Sequence, residues 1–334
     1  MSNYLKKIFG NSAWMIIANV INIIVGLVVS VFVTRYLGVE QKGKMANAQV
    51  ISSFWGFIAS LGLLDIMISK FSTEKDRTAE IAATGMGLMF CGGTIAFFSS
   101  LVNAVFLGVK TEILIYVAIY SCVYLFQFLS VYEYWFYSIS NSKYYAVAQT
   151  VLHIIFLMIK LLCVLLQMSL LYFIIVSALE PIVIYLSLII CYKMNRCYFI
   201  GRFAFNKNVA IELIRLALPM IAMGFATTIY MKIDQLMVGK FLGNREIGLY
   251  SISVNLAEYW YFIPAIIYSS FLPIITESYS QNKEFKNKLQ LFADIMISIA
   301  YLAAFGVMIL GKYGVCLLYG KEFEKAANIL IVYI

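Results

Sequence analysis

Long, continuously apolar runs constrain this chain more than any other feature. They fall at about residues 14–33, 47–69, 81–108, 113–138, 145–167, 169–191, 212–238, 249–276 and 289–311. A helix needs about 20 apolar residues to cross roughly 30 Å of hydrocarbon, and each run is of that order. The runs do not alternate in polarity, which excludes barrel strands. Composition agrees: 63% of the 334 residues are hydrophobic and 13% charged, against about 45–50% and 25% in soluble domains. A water-soluble globule could not hide so much apolar surface. The expected fold is all-α and polytopic, with about 9–10 membrane-spanning helices. Ala326–Ile334 is apolar again but too short to span, and reads as the start of a tenth helix.

The net charge of +8 lies mostly in short loops between the runs, where Lys and Arg meet anionic headgroups and set topology. It therefore points to membrane lipids as partners and not to nucleic acid. With the N-terminus inside, the inner loops hold 13 Lys and Arg, Arg196 and Lys283 among them, and the outer loops 7. The excess places the N-terminus in the cytoplasm. The six cysteines, Cys197 included, are scattered singly, and His153 is the single histidine. That set builds no zinc site, and no cofactor is expected. The longest polar connection, residues 192–211, is basic. It is expected to be a cytoplasmic linker with an amphipathic surface helix, dividing a first six-helix bundle (1–191) from the start of a second (212–334).

Self-similarity supports that division. Arg35-Tyr36-Leu37-Gly38, followed by Gly43, matches Lys240-Phe241-Leu242-Gly243, followed by Gly248, at an offset of 205 residues. At the same offset, Phe54-Trp55-Gly56-Phe57-Ile58 matches Tyr259-Trp260-Tyr261-Phe262-Ile263. Six spans separate the copies, so both cross the membrane in the same direction. The pattern predicts two parallel-repeat bundles, the second incomplete, of the kind that rock about a shared cavity. Gly38 and Gly243 are expected to take φ > 0 and close a helix, and Gly43 and Gly248 to allow a tight start to the next.

These motifs carry a resemblance. Asp234 to Gly243, then Gly248-Leu249-Tyr250-Ser251, resembles the seventh-span signature of polysaccharide lipid flippases. Glu258 to Pro264 and Phe271-Leu272-Pro273 strengthen it, and Arg35-Tyr36-Leu37-Gly38 is similar to the end of their first span. The chain thus looks like a Wzx-type flippase of the multidrug/oligosaccharidyl-lipid/polysaccharide exporter superfamily. It departs at Ile139, where the family often has Gly after an aromatic run, and in span count, since the family has about twelve to fourteen. The resemblance implies transport of an undecaprenyl-pyrophosphate-linked oligosaccharide across a bacterial inner membrane, for O-antigen or capsule. It also implies a polysaccharide polymerase and ligase as downstream partners. A multidrug or cation antiporter of the same superfamily and a non-transporting remnant are the rival expectations. An enzyme is not expected, since no loop is large enough to carry paired carboxylates or a His.

Ionisable groups inside spans are costly and default to functional candidates. Lys160, Lys232 and Arg35 are expected to meet the substrate phosphate. Asp234, Glu180 and Glu133 are expected to gate or couple, with Pro181 freeing backbone beside Glu180. The aromatic run Tyr132–Tyr137 is expected in the interfacial belt, and His153 as a hydrogen-bonded packing residue. With no P-loop motif, the drive would be an ion or substrate gradient.

Overall fold

Hydrocarbon offers a peptide group no partner, so each span must satisfy its own backbone or be covered by protein. In a computed structural model the chain is accordingly helical almost throughout. The structure describes residues 2–139, 143–195, 198–280 and 285–334; Arg196, Cys197 and Lys283 lie outside them.

The first helix, α1 (Ser2–Ser53), changes direction at Gly38, which has φ 68° and ψ 176°. That region is essentially reserved for glycine. A Cβ there would meet nothing within 4 Å, so the need is for backbone geometry and not for space. Further on, α9 (Lys207–Phe241) and α10 (Asn244–Tyr259) meet at Gly243, with φ 88° and the same empty surroundings. The repeated motif puts a positive-φ glycine at the same place in both copies. Gly43 works differently. A Cβ on it would lie 1.7 Å from the Asn244 carbonyl oxygen, so α1 comes this close only without a side chain. Beside it, Asn47 Nδ2 donates to Asn244 Oδ1 at 3.1 Å.

A second repeated device interrupts helices. After α1, the chain breaks at Phe54-Trp55 before α2 (Gly56–Ser60), and again before α3 (Leu64–Thr73). In the other copy α10 ends at Tyr259 and α11 (Phe262–Ser280) follows Trp260-Tyr261. Both breaks carry the same tight bond, Ile58 N to Trp55 O at 3.1 Å and Ile263 N to Trp260 O at 3.0 Å. At the first break the Ser52 carbonyl would, in a continuous helix, serve residue 56. It instead accepts from Trp55 N at 3.2 Å, Tyr124 Oη at 2.9 Å and Ser100 Oγ at 3.4 Å. Pro264 stands in the first turn of α11, where a missing N–H costs no helical bond.

The expected span 249–276 is therefore two helices. Among the described residues eight stretches, not nine, are long and apolar enough to cross a membrane. The other spans are α4 (Thr78–Leu107), α5 (Thr111–Ser121) continuing through a 3-10 stretch (Cys122–Ser130) into α6 (Val131–Ser138), α7 (Lys143–Leu165), α8 (Leu170–Asn195), α9 and α12 (Phe285–Tyr319). A short α13 (Glu324–Tyr333) follows. The expected amphipathic linker helix is not seen among the described residues: 198–206 carry no helix and run as a strap from α8 to α9.

By packing, the described chain forms two units, Gln41–Ile247 and Met1–Glu40 with Gly248–Ile334. The core of the first joins Met67 and Phe71 of α3, Ile81 and Met89 of α4, Trp135 of α6, and Val209 and Leu213 of α9. In the second, Val31 and Val39 pack with Leu249, Ile252, Val315, Phe323 and Ala326. There Ser253 Oγ donates to Ala326 O at 2.7 Å. Lys312 also pairs with Glu324 at 2.7 Å, which holds that carboxyl below its usual pKa range.

The two kinds of glycine separate on mutation. Gly38→Ala is expected to cost about 1–3 kcal/mol through backbone strain. Gly43→Ala must displace a helix and should lower the thermal midpoint of the detergent-solubilised protein further. A Gly43→Ala midpoint at or above that of Gly38→Ala contradicts the assignment.

Candidate functional site

Helix periodicity brings two cationic-type side chains of α7 into line. His153 and Lys160 are seven residues apart, two turns on one face and about 10 Å along the axis. Facing them, α8 presents Glu180 from the residue before Pro181. One carboxylate serves both: Glu180 Oε2 accepts from Lys160 Nζ at 2.7 Å, and Oε1 lies 2.5 Å from His153 Nδ1. The Glu180 side chain is 12% exposed. It lies ten residues into α8, about 15 Å from the helix end, which is mid-depth in hydrocarbon of roughly 30 Å. Lys160 therefore does not reach for headgroups. The triad is neutral overall with His153 neutral and gains one positive charge when the ring is protonated. Sequence reading placed Lys160 and Glu180 in separate roles and His153 in packing; the structure brings all three together.

The remaining sequence candidates sit elsewhere. Arg35 Nε donates to Leu318 O at 2.6 Å and its guanidinium also reaches Leu317 O. It thereby caps the carbonyl end of α12, where a cation also opposes the helix dipole. Lys232 is half-buried in α9 and has no hydrogen-bond or ion-pair partner among the described residues. Asp234 turns back to accept from Gln235 N at 2.7 Å. Glu133 accepts from Tyr137 Oη at 3.1 Å and from the Tyr145 hydroxyl. It stands beside an aromatic cluster built on Phe136, Tyr145 and Leu188. Tyr134, Trp135 and Phe136 are buried, so these rings of the run pack against protein. Gly248 lies within α10, where its carbonyl accepts from Ser251 Oγ at 3.0 Å.

A groove of about 490 Å³ runs along α4, lined by Trp55, Ile95, Phe98, Val102, Asn103 and Phe106 among others. Its lining carries no cation, so it suits a hydrocarbon chain and not a phosphate.

A family model described as polysaccharide biosynthesis protein matches residues 8–279. The chain belongs to the polysaccharide biosynthesis protein family. Among curated proteins none matches it. Among solved structures, this family member is similar to one described as the inward-facing conformation of a multidrug resistance MATE family transporter of the MOP superfamily. The TM-score is 0.63 at 14% identity, over 93% of this chain and 75% of that one. At that identity the likeness establishes the fold alone.

The triad makes a stability prediction. Glu180→Leu strands a buried ammonium and should cost about 3–5 kcal/mol. The double variant Lys160→Met/Glu180→Leu removes the charge with its partner and should recover most of the loss. Thermal unfolding in one detergent measures both; a double variant no more stable than Glu180→Leu contradicts the pairing.

Proposed function

We propose that this chain is a flippase that moves an undecaprenyl-pyrophosphate-linked oligosaccharide from the inner to the outer leaflet of a bacterial plasma membrane by alternating access. The product would pass to a polymerase and ligase for O-antigen or capsule assembly. Family membership and fold support a transporter of polysaccharide precursors. The observation that carries the substrate assignment is Lys160, an ammonium at membrane depth held by one carboxylate that His153 shares.

A buried ammonium gives up its carboxylate only where another anion takes its place. A pyrophosphate of roughly two negative charges enters a low-dielectric interior only against cations. When Lys160 turns to the phosphate, Glu180 is left with His153, and protonation of His153 neutralises it. The exchange thus ties phosphate binding to one proton. Lys232, half-buried and unpaired among the described residues, supplies the second positive charge, and Asp234, two residues on and so on a different side of the helix, is a separate gating candidate. Glu133, held by two phenols, is the further coupling candidate. Arg35 is engaged by α12 and takes no part in this exchange.

The test is reconstitution in proteoliposomes with a fluorescent prenyl-pyrophosphate oligosaccharide, scored by protection from a membrane-impermeant quencher. Wild type and Lys160→Arg should flip the lipid, and Lys160→Met and Lys232→Met should lose at least tenfold in rate. The fold likeness to a multidrug transporter favours one rival, export of organic cations. Extrusion of a cationic dye without lipid flipping would establish that rival instead.

A further inference from the structure

The groove on α4 is not apolar throughout, and its polar groups stand in a definite order. Ile95, Phe98, Ser99, Val102, Asn103 and Phe106 line it, the three-and-four spacing of one helix face. Ile95 and Phe106 are eleven residues apart, about 17 Å of helix rise. That is close to half of a hydrocarbon core roughly 30 Å thick, the depth of one leaflet. Ile95, Phe98, Val102 and Phe106 are 55%, 59%, 53% and 83% exposed, so the groove is open sideways, the direction from which a lipid chain arrives.

Its two ends differ. A Cβ on Gly92 would lie 2.5 Å from the Ile58 carbonyl oxygen, and Ser100 Oγ donates to Ser52 O at 3.4 Å. The chain around the first break therefore runs antiparallel to α4 and sets Trp55 at the Ile95 end. Phe106 marks the other end, one residue before α4 stops at Leu107. There Lys240 Nζ donates to Leu107 O, and a Cβ on Gly108 would lie 3.9 Å from the same nitrogen. An ammonium has three N–H donors, so Lys240 keeps two for a further acceptor. Lys110 is exposed just before α5. The carboxylate nearby, Glu112, is engaged by Lys44 at 2.9 Å and by the Tyr116 hydroxyl at 2.8 Å, which leaves this end of the groove positive.

Between the ends stand Ser99 and Asn103, one turn apart. Thr94 returns its hydroxyl to Phe90 O at 2.8 Å, whereas the side chains of Ser99 and Asn103 have no hydrogen-bond partner among the described residues. Asn103 lies four residues short of Leu107, about 6 Å below the end of α4. Lipid tails offer an amide no partner, but at that depth the chains of a phospholipid join ester carbonyls, which accept hydrogen bonds.

We propose that this groove is a binding site for an anionic phospholipid. One acyl chain lies along Phe106, Val102, Phe98 and Ile95 with its tip toward Trp55, an ester carbonyl accepts from Asn103, and the phosphate meets Lys240 and Lys110. Ammonium, amide and apolar wall follow one another along the helix face in the order of polarity along such a lipid. Because Lys240 belongs to α9, a lipid seated there also braces α9 against α4. The site is separate from the Glu180 triad and does not depend on what the protein carries.

Photo-crosslinking on the full chain in phosphatidylcholine nanodiscs tests it. The probes are phosphatidylglycerol and phosphatidylcholine, each with a diazirine midway along one chain, at equal mole fraction. Peptide mapping should place adducts on residues 94–106, with the phosphatidylglycerol probe labelling at least fivefold more than the phosphatidylcholine probe. Lys240→Arg should keep that ratio, Lys240→Gln should bring it close to one, and Asn103→Leu should lower it at least twofold. Lys110→Gln, at an exposed position, should lower it too and serves where Lys240→Gln does not fold. Equal labelling of wild type by the two probes would reduce the groove to ordinary lipid contact and overturn the proposal. So would displacement of the probe by an unlabelled prenyl phosphate at a lower mole fraction than unlabelled phosphatidylglycerol, which would assign the groove to a carrier lipid.

Discussion

Every feature singled out above answers one constraint: inside a bilayer there is no water to finish a hydrogen bond or screen a charge. A helix satisfies this by itself, which is why the apolar runs become helices. Departures from helix occur where protein supplies the missing partner. Ser52 shows this at the first break, where three donors from three segments meet a carbonyl that the helix has released. Glu180 shows it for charge, dividing its two oxygens between Lys160 and His153. Such sites are expensive to build, and the cost is carried by packing around them.

Much of this was legible in the sequence, for identifiable reasons. Apolar length predicts spans because bilayer thickness is fixed. The paired Arg/Lys-aromatic-Leu-Gly motifs predict corners because few residues tolerate that backbone, and Gly38 and Gly243 both have positive φ. The breaks at 54–55 and 260–261 were hidden because aromatic residues do not interrupt an apolar run. The repeat itself, with Trp at 55 and 260, was the available signal. The strap was hidden because its bonds are long-range: nothing local marks Ile200 as the cap of a helix that begins 122 residues earlier.

The candidate site was half legible. Lys160 and Glu180 stand out as ionisable groups within apolar runs, but their pairing depends on how α7 turns against α8. The seven-residue spacing of His153 and Lys160 was the clue that both face one way. Arg35 illustrates the opposite case. Its position at a helix end was plain, but its partners, the Leu317 and Leu318 carbonyls, are nearly 300 residues away.

Family and fold place this chain among membrane proteins of polysaccharide biosynthesis, with an architecture shared by a multidrug transporter. Its interior holds an ammonium and an imidazole on one carboxylate, midway along α8. Electron cryomicroscopy of the protein in lipid nanodiscs examines that arrangement directly. The account predicts side-chain density joining Glu180 to both Lys160 and His153, away from lipid. Density showing Lys160 stretched along α7 toward the headgroups, with Glu180 turned outward, would contradict it.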